Sequence, residues 1–544
     1  MSSIRVPFGS PIRRLHGVGG SRAAVGRTPW LLVALGLAVA LLSLLPVAYL
    51  AIRAVGTDAD ALAFVLRPRT LGVVAQTVLL AVLVGLGSVL VGLPVAWLTT
   101  RARVPGRRLW SVLTVVPLAV PSFVTGFAFI SAFGPRGALQ SLLEPLGVER
   151  LPAIYGLPGA VLVLVLATYP YVVLSVRAGL LSEDRSLEDA ARTLGDEPRS
   201  IVRRITIPML RPAIAAGAML AVLYAVSDFG AVSLLQFDSL SRAIYVQYRA
   251  AFDRSLAAVL ALLLVALTLL LTLGEARLRA RARVTSGRPP RHPVEPIELG
   301  PWRWPALAFL GTVVGLALVL PAGTIAFWSL RGIAQGERRD LLGAAGLETL
   351  LVGGGAALAA AALALPIGLL LARHPFTLAG LVERATYVGF ALPGVVVALA
   401  VVFLATSLVP AIYQTLFLLV GAYSIRFLPQ ALGAVRASLL RVGFRAEEAG
   451  RTLGDGAARA FWRITLPILR PALLSGAALV FLTVVKELPM ALILAPIGFE
   501  TLATQIWGAA SEGFYARAAT PAAVLLVLSA ASVALLLRDE RNAR

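Results

Sequence analysis

Three ionisable side chains stand where the sequence is otherwise apolar: Asp228, Lys486 and Glu487. A charge inside a membrane-crossing segment costs about 2.5–3.5 kcal/mol on insertion scales, so such residues mark ion or solute paths by default. Carboxylates suit a hard cation, and the ammonium of Lys486 suits an anion or an anionic chelate. Asp228 and Glu487 are 259 residues apart, and at that offset Lys486 matches Ser227. Together they form the candidate translocation path; the competing role is polar packing between helices. Catalytic chemistry is not indicated. The chain has no cysteine, and its three histidines, His16, His292 and His374, fall in polar segments. No metal site, cofactor or catalytic residue is therefore expected.

The offset of 259 belongs to a longer repeat. Asp189-Ala190-Ala191, three residues, Gly195, and then Ile205 to Pro208 make the first copy. Glu448-Ala449-Gly450, three residues, Gly454, and then Ile464 to Pro467 make the second. Each copy reads as two short helices. The acid lies in a first helical turn, where the dipole favours a carboxylate. The small pair leaves a smooth surface for close approach. The glycine can take the left-handed conformation that ends a helix. Pro208 and Pro467 are expected to stop the second helix before the next apolar run. The product is a knob that projects from the membrane twice, at equivalent points.

The elements that carry these residues follow from hydropathy. The chain has 544 residues, 58% of them hydrophobic and 14% charged, and runs of about 18 apolar residues are membrane-span candidates. About twelve are expected, near 30–52, 71–98, 109–133, 156–181, 213–235, 255–273, 304–330, 347–372, 385–407, 411–433, 472–493 and 519–537. The fold class is an all-α polytopic membrane protein. The first run is long enough to cross and is expected to act as a signal anchor. The net charge of +21 does not point to nucleic acid, because arginines crowd alternate loops. Arg5, Arg13, Arg14, Arg22 and Arg27, then Arg101, Arg103, Arg107 and Arg108, then both motif loops follow the positive-inside bias, which puts both termini in the cytoplasm.

Residues 275–301 are basic and then Pro-rich, and read as a cytoplasmic linker between repeats at 1–274 and 302–544. Six spans per repeat give both the same orientation, a parallel duplication. Thr77, Pro94, Arg101 and Pro121 match Thr349, Pro366, Arg373 and Pro393 at an offset of 272. One indel in the loop at 134–155 reconciles 272 with 259. Pro117, Pro121 and Pro393 are expected to kink the third and ninth spans.

The duplicated motif resembles the EAA loop of binding-protein-dependent ABC importer permeases, and the resemblance covers both repeats. Asp189 replaces the family's glutamate and Gly450 its second alanine; charge and small size are kept. The resemblance implies the type I importer permease fold, a coupling helix in each loop, two copies of an ABC ATPase subunit, and a periplasmic substrate-binding protein meeting outer loops near 237–254 and 494–517. It also implies residence in the cell inner membrane and a transport role without enzymatic activity. A separate ATPase agrees with the residues themselves: the only lysine, Lys486, precedes Glu487, so no phosphate-binding P-loop of the GK(S/T) type can form. Segments around Ser227–Ala231 and Lys486–Pro489, with Gly498–Thr504, look like those of iron(III) importer permeases. Similar fused permeases serve thiamine and other solutes. An ATP-independent secondary transporter is the rival of another class; the motif argues against it.

Overall fold

The computed structural model describes all residues except 1–29, 56–62, 135–136, 148–150, 153, 183–185, 251–254, 285–296, 337–339, 374–376, 443–444 and 543–544. His16, His292, His374 and the N-terminal arginines lie outside the described residues. The first repeat comprises α1 (Trp30–Val55), α2 (Pro68–Thr100), α3 (Arg107–Leu113), α4 (Ser122–Phe133), α5 (Leu157–Ser182), α6 (Ser186–Thr193), α7 (Val202–Ser227), α8 (Gly230–Leu234), α9 (Leu240–Ala250) and α10 (Ser255–Val284). The second repeats the order: α11 (Gly300–Ala334), α12 (Asp340–Arg373), α13 (Thr377–Ala391), α14 (Gly394–Leu408), α15 (Leu416–Val442), α16 (Arg445–Thr452), α17 (Ala457–Val485), α18 (Pro489–Leu494), α19 (Leu502–Ser511) and α20 (Tyr515–Asn542). Among the described residues, ten helices are long and apolar enough to cross a membrane, or up to twelve spans if two bent pairs each count as one.

The bent pairs are the expected third and ninth spans, and they do more than kink. The chain turns by 97° before α4 and by 107° between α13 and α14. Pro121 and Pro393 occupy the breaks in extended conformation, each as N-cap of the following helix. A proline has no N–H to donate, so its backbone is suited to the position just outside a helix. The helix therefore restarts rather than bends.

Three further boundaries differ from the hydropathy reading. Pro208 and Pro467 do not stop a helix. The chain runs through them, because π-turns at Val202–Thr206 and Phe461–Thr465 lie immediately upstream. The wider turn accommodates the ring and the missing donor, with Ile207 N bonding back to Val202 O. Consequently α7 and α17 begin near 202 and 457 rather than 213 and 472, and they end at Ser227 and Val485. The three candidate path residues thus lie just past the helix ends, not in mid-span. In the linker, α10 stays helical to Val284, and Ile297 pairs by backbone hydrogen bonds with Arg101 and Arg103.

The repeats do not form separate cores. One core joins α2, α4, α5 and α8 to Leu310, Val313 and Ile325 of α11, Leu502 and Ile506 of α19, and Leu525 of α20. The other joins α12, α14, α15 and α17 to Val39 and Leu50 of α1, Leu240 and Ile244 of α9, and Leu264 of α10. Each core borrows the first, ninth and tenth elements of the other repeat. Within each repeat a matched glycine permits a close helix crossing. A Cβ on Gly217 would lie 2.7 Å from Val172 Cα, and one on Gly476 2.9 Å from Ala431 Cα. Small residues at such crossings let backbones pack directly.

Candidate functional site

The motif loops form the same structure twice. α6 and α16 end at Gly195 and Gly454, whose φ angles are +88° and +100°. Asp196 N bonds to Ala191 O at 3.0 Å, and Asp455 N to Gly450 O at 3.1 Å. This six-to-one bond, with the left-handed glycine before it, satisfies carbonyls that the helix end would otherwise leave unpaired. The two small residues of each pair divide the work. Ala191 and Gly450 face inward, and a Cβ on Gly450 would collide with Ile464 of the following π-turn. Ala190 and Ala449 face out, beside Leu194 and Leu453, which are 86% and 89% exposed. Glu448 is exposed; Asp189 lies on α6, with its side chain outside the described set. Pro208 and Pro467 sit at the roots of α7 and α17.

A carboxylate that the motif reading passed over is the buried one. Glu188 and Glu447 precede the motif acids and are 7% and 6% exposed. Thr206 Oγ1 donates to Glu188 at 2.7 Å, and Arg101 Nη1 lies 3.7 Å from the same carboxylate. Thr465 Oγ1 donates to Glu447 at 2.6 Å, and Arg373 forms a hydrogen-bonded ion pair with it. The matched Arg101 and Arg373 were the available signal, since a repeated arginine at a span end needs a repeated partner.

The candidate path residues gather where the repeats meet. Asp228 is nearly closed off. Ser122 Oγ donates to one carboxylate oxygen, while Ala231 N and Val232 N donate to the other at 3.0 and 3.3 Å. Asp228 thus starts α8 and ties it to the residue after the Pro121 break. Glu487 makes the equivalent tie differently. Arg426 Nη1 contacts its carboxylate at 2.5 Å, and Arg426 Nη2 donates to Leu392 O, beside the Pro393 break, at 3.1 Å. At the position of Ser122 the second repeat has Gly394, and any Cβ there would collide with Glu487. The longer acid and its arginine fill the space that the serine occupies in the first repeat. Sequence reading missed Arg426, although a lone arginine in the apolar run of α15 carries the same intramembrane signal.

Lys486 crosses between repeats: its Nζ donates to Leu118 O, just before the Pro121 break, at 3.3 Å. Gly230 beside Asp228 and Leu488 beside Glu487 also meet here; a Cβ on Gly230 would lie 3.3 Å from the Leu488 side chain. Phe229, Tyr245 and Trp507 form an aromatic cluster across the same seam, with ring centroids 4.9–6.0 Å apart. Asp228 and Glu487 share no donor among the described hydrogen bonds: Ser122, Ala231 and Val232 serve the first, and Arg426 the second.

Beyond this seam, matched threonines hold the short helices at the end opposite the motif loops. Leu240 N donates to Thr77 Oγ1 at 2.9 Å at the start of α9, and Leu502 N to Thr349 Oγ1 at 2.8 Å at the start of α19.

Comparison with known proteins matches this duplicated architecture. The model of the family described as binding-protein-dependent transport system inner membrane component matches twice, at residues 88–284 and 364–539. The chain is 30% identical over 509 residues to the Fe(3+)-transport system permease protein FbpB 2 of Haemophilus influenzae, covering 92% of this chain and 96% of the relative. It is 24% identical over 485 residues to the ferric transport system permease protein FbpB of Actinobacillus pleuropneumoniae, covering 85% of this chain and 70% of the relative. The sulfate transport system permease protein CysW of Escherichia coli is 31% identical over 208 residues, 38% of this chain and 70% of the relative. With two family matches that each span a motif loop and the seam residues beyond it, the chain belongs to the binding-protein-dependent transport system inner membrane components, as an ABC importer permease subunit.

Proposed function

We propose that this multi-pass inner membrane protein imports iron(III), handed over by a periplasmic binding protein, at the expense of ATP hydrolysed by two separate ATPase subunits. The observation that carries the solute is the iron(III) permease relative, which aligns over 92% of this chain, whereas the sulfate permease relative aligns over 38%. One ATPase subunit docks on α6, with Asp189, Ala190, Ala191, Gly195 and Pro208 in its loop. The other docks on α16, with Glu448, Ala449, Gly450, Gly454 and Pro467. The exposed Leu194 and Leu453 support this reading, since an unpaired leucine at a tip away from the spans suits a partner's groove. Both termini lie on the ATPase side, and residues 1–274 and 302–544 act as the two permease repeats. α9 and α19 receive the binding protein. Asp228, Lys486 and Glu487 border the path at the seam.

A second reading keeps the machine and changes the solute. Asp228 accepts from Ser122, Ala231 and Val232, Glu487 is paired with Arg426, and Lys486 has a carbonyl as its described partner. That arrangement favours an anion, or iron carried as an anionic complex, over a bare cation. The test is uptake into vesicles holding the full chain with its ATPase and binding protein. ATP-dependent accumulation of radiolabelled iron(III), and not of sulfate or thiamine, is expected. Accumulation of sulfate or thiamine instead would overturn the iron assignment and leave the importer.

A further inference from the structure

Four residues recur in both repeats and join the motif loop to the far end of the molecule. In the first, Thr206 and Arg101 converge on Glu188; Arg101 caps α2, and Thr77 of α2 holds the first backbone N–H of α9. In the second, Thr465 and Arg373 converge on Glu447; Arg373 ends α12, and Thr349 of α12 holds the first backbone N–H of α19. Between threonine and arginine each helix is unbroken, even through Pro94 and Pro366. The 24-residue separation spans about 36 Å at the α-helical rise.

We propose that α2 and α12 are struts that carry movement of each motif loop to the helix at the opposite face. Glu188 and Glu447 are the positioning residues at one end, and Thr77 and Thr349 those at the other. The proposal rests on the coupling-loop reading above.

The chemistry favours rigid linkage. Both carboxylates are buried, and removing one partner of a buried ion pair leaves an uncompensated charge. A loop that moves must therefore take the arginine with it or leave a charge stranded. The arginine sits on the end of a helix that transmits displacement along its axis. At the other end, the threonine hydroxyl supplies the acceptor for a helix-starting N–H that has no intrahelical partner. Each junction is thus held by a group that cannot let go without leaving a buried polar atom unpaired. Glu188 and Glu447 also grip the π-turn through Thr206 and Thr465, so the strut and the fifth span are driven from one point.

The test uses the full chain reconstituted with its ATPase and its loaded binding protein. The readout is the ratio of ATP hydrolysis with the binding protein to hydrolysis without it. Glu447→Gln and the shape-conserving Thr349→Val are each expected to lower that ratio about tenfold, within the usual range of coupling between sites. Because both sever one strut, the double variant is expected to be no worse than the worse single variant. Distant residues with separate roles give additive effects. A double variant whose loss is the product of the two single losses would overturn the strut while leaving the importer reading intact. So would a fall in uptake that only tracks the amount of folded protein, with the ratio unchanged. Absence of ATP-dependent uptake by the unaltered chain would instead overturn the coupling reading, and the strut with it.

Discussion

At the scale of single residues, the clearest constraint is backbone conformation. Gly454 sits at φ +100° with nothing near the position a Cβ would take. A side chain there meets strain, not a clash, of roughly 1–2 kcal/mol for an ordinary L-residue and less for asparagine. Gly454→Val is therefore expected to insert normally and lose most uptake per molecule, and Gly454→Asn to retain more. Uptake normalised to membrane abundance measures both; equal loss in the two variants would point away from the turn. The buried charges separate by partner. Arg426→Met strands Glu487, which should cost about 3–5 kcal/mol and appear as lost abundance and lower thermal stability. Lys486→Met leaves no carboxylate behind, so its expected effect is on uptake at normal abundance. Immunoblot and uptake on the same membranes distinguish them. Sequence alone exposed Gly454, Asp228, Lys486 and Glu487, because spacing and an apolar setting suffice to find them. It did not expose Glu188, Glu447 or Arg426 as partners. A pairing across 74 residues, as between Arg373 and Glu447, has no local signature.

Elements were legible where composition decides and illegible where backbone hydrogen bonding does. The number of spans, the parallel duplication and the proline positions in the third and ninth spans could all be read from hydropathy and register. That Pro121 and Pro393 would break the chain by about a right angle, while Pro208 and Pro467 would be absorbed, could not. The difference lies in the turn upstream of each proline, which sequence does not announce. The π-turns at Val202–Thr206 and Phe461–Thr465 also fix the angle between motif loop and span. Deleting Arg463, which is exposed, would let that turn close to ordinary α-helix. The wide turn that accommodates the Pro467 ring would then be lost, and the ring would press on the carbonyl one α-turn back, bending the root of α17 and redirecting α16. The expected outcome is a protein of normal abundance that no longer retains an ATPase subunit at its second loop. Co-purification is the measurement, and full retention of the ATPase would show that the loop reorients independently of the span.

For the whole molecule, the interlocked cores make a prediction that a simple tandem of two domains would not. Val39 and Leu50 of α1 complete the second core, and Leu310, Val313 and Ile325 of α11 complete the first. Expressed alone, either repeat would leave those faces, and the beds that receive them, without partners. In lipid the loss is of van der Waals packing and interhelical hydrogen bonds rather than of hydrophobic burial. It also includes the Lys486–Leu118 contact and the aromatic seam of Phe229, Tyr245 and Trp507. The covalent link between repeats adds none of these contacts. Its role is to keep the two halves at high effective concentration, helped by the pairing of Ile297 with Arg101 and Arg103. Cutting the chain between residues 290 and 291 and co-expressing the two pieces should therefore restore much of the uptake. Each piece alone should be degraded or fail to accumulate. Pulse-chase turnover of each piece, alone and together, reads this directly. If residues 1–290 persisted alone as long as in the presence of 291–544, the first repeat would be a self-sufficient bundle and the exchange of α1 and α11 incidental. If co-expression stabilises both, the folding unit is the pair of repeats, and the motif loops at one end and α9 and α19 at the other belong to a single interlocked body.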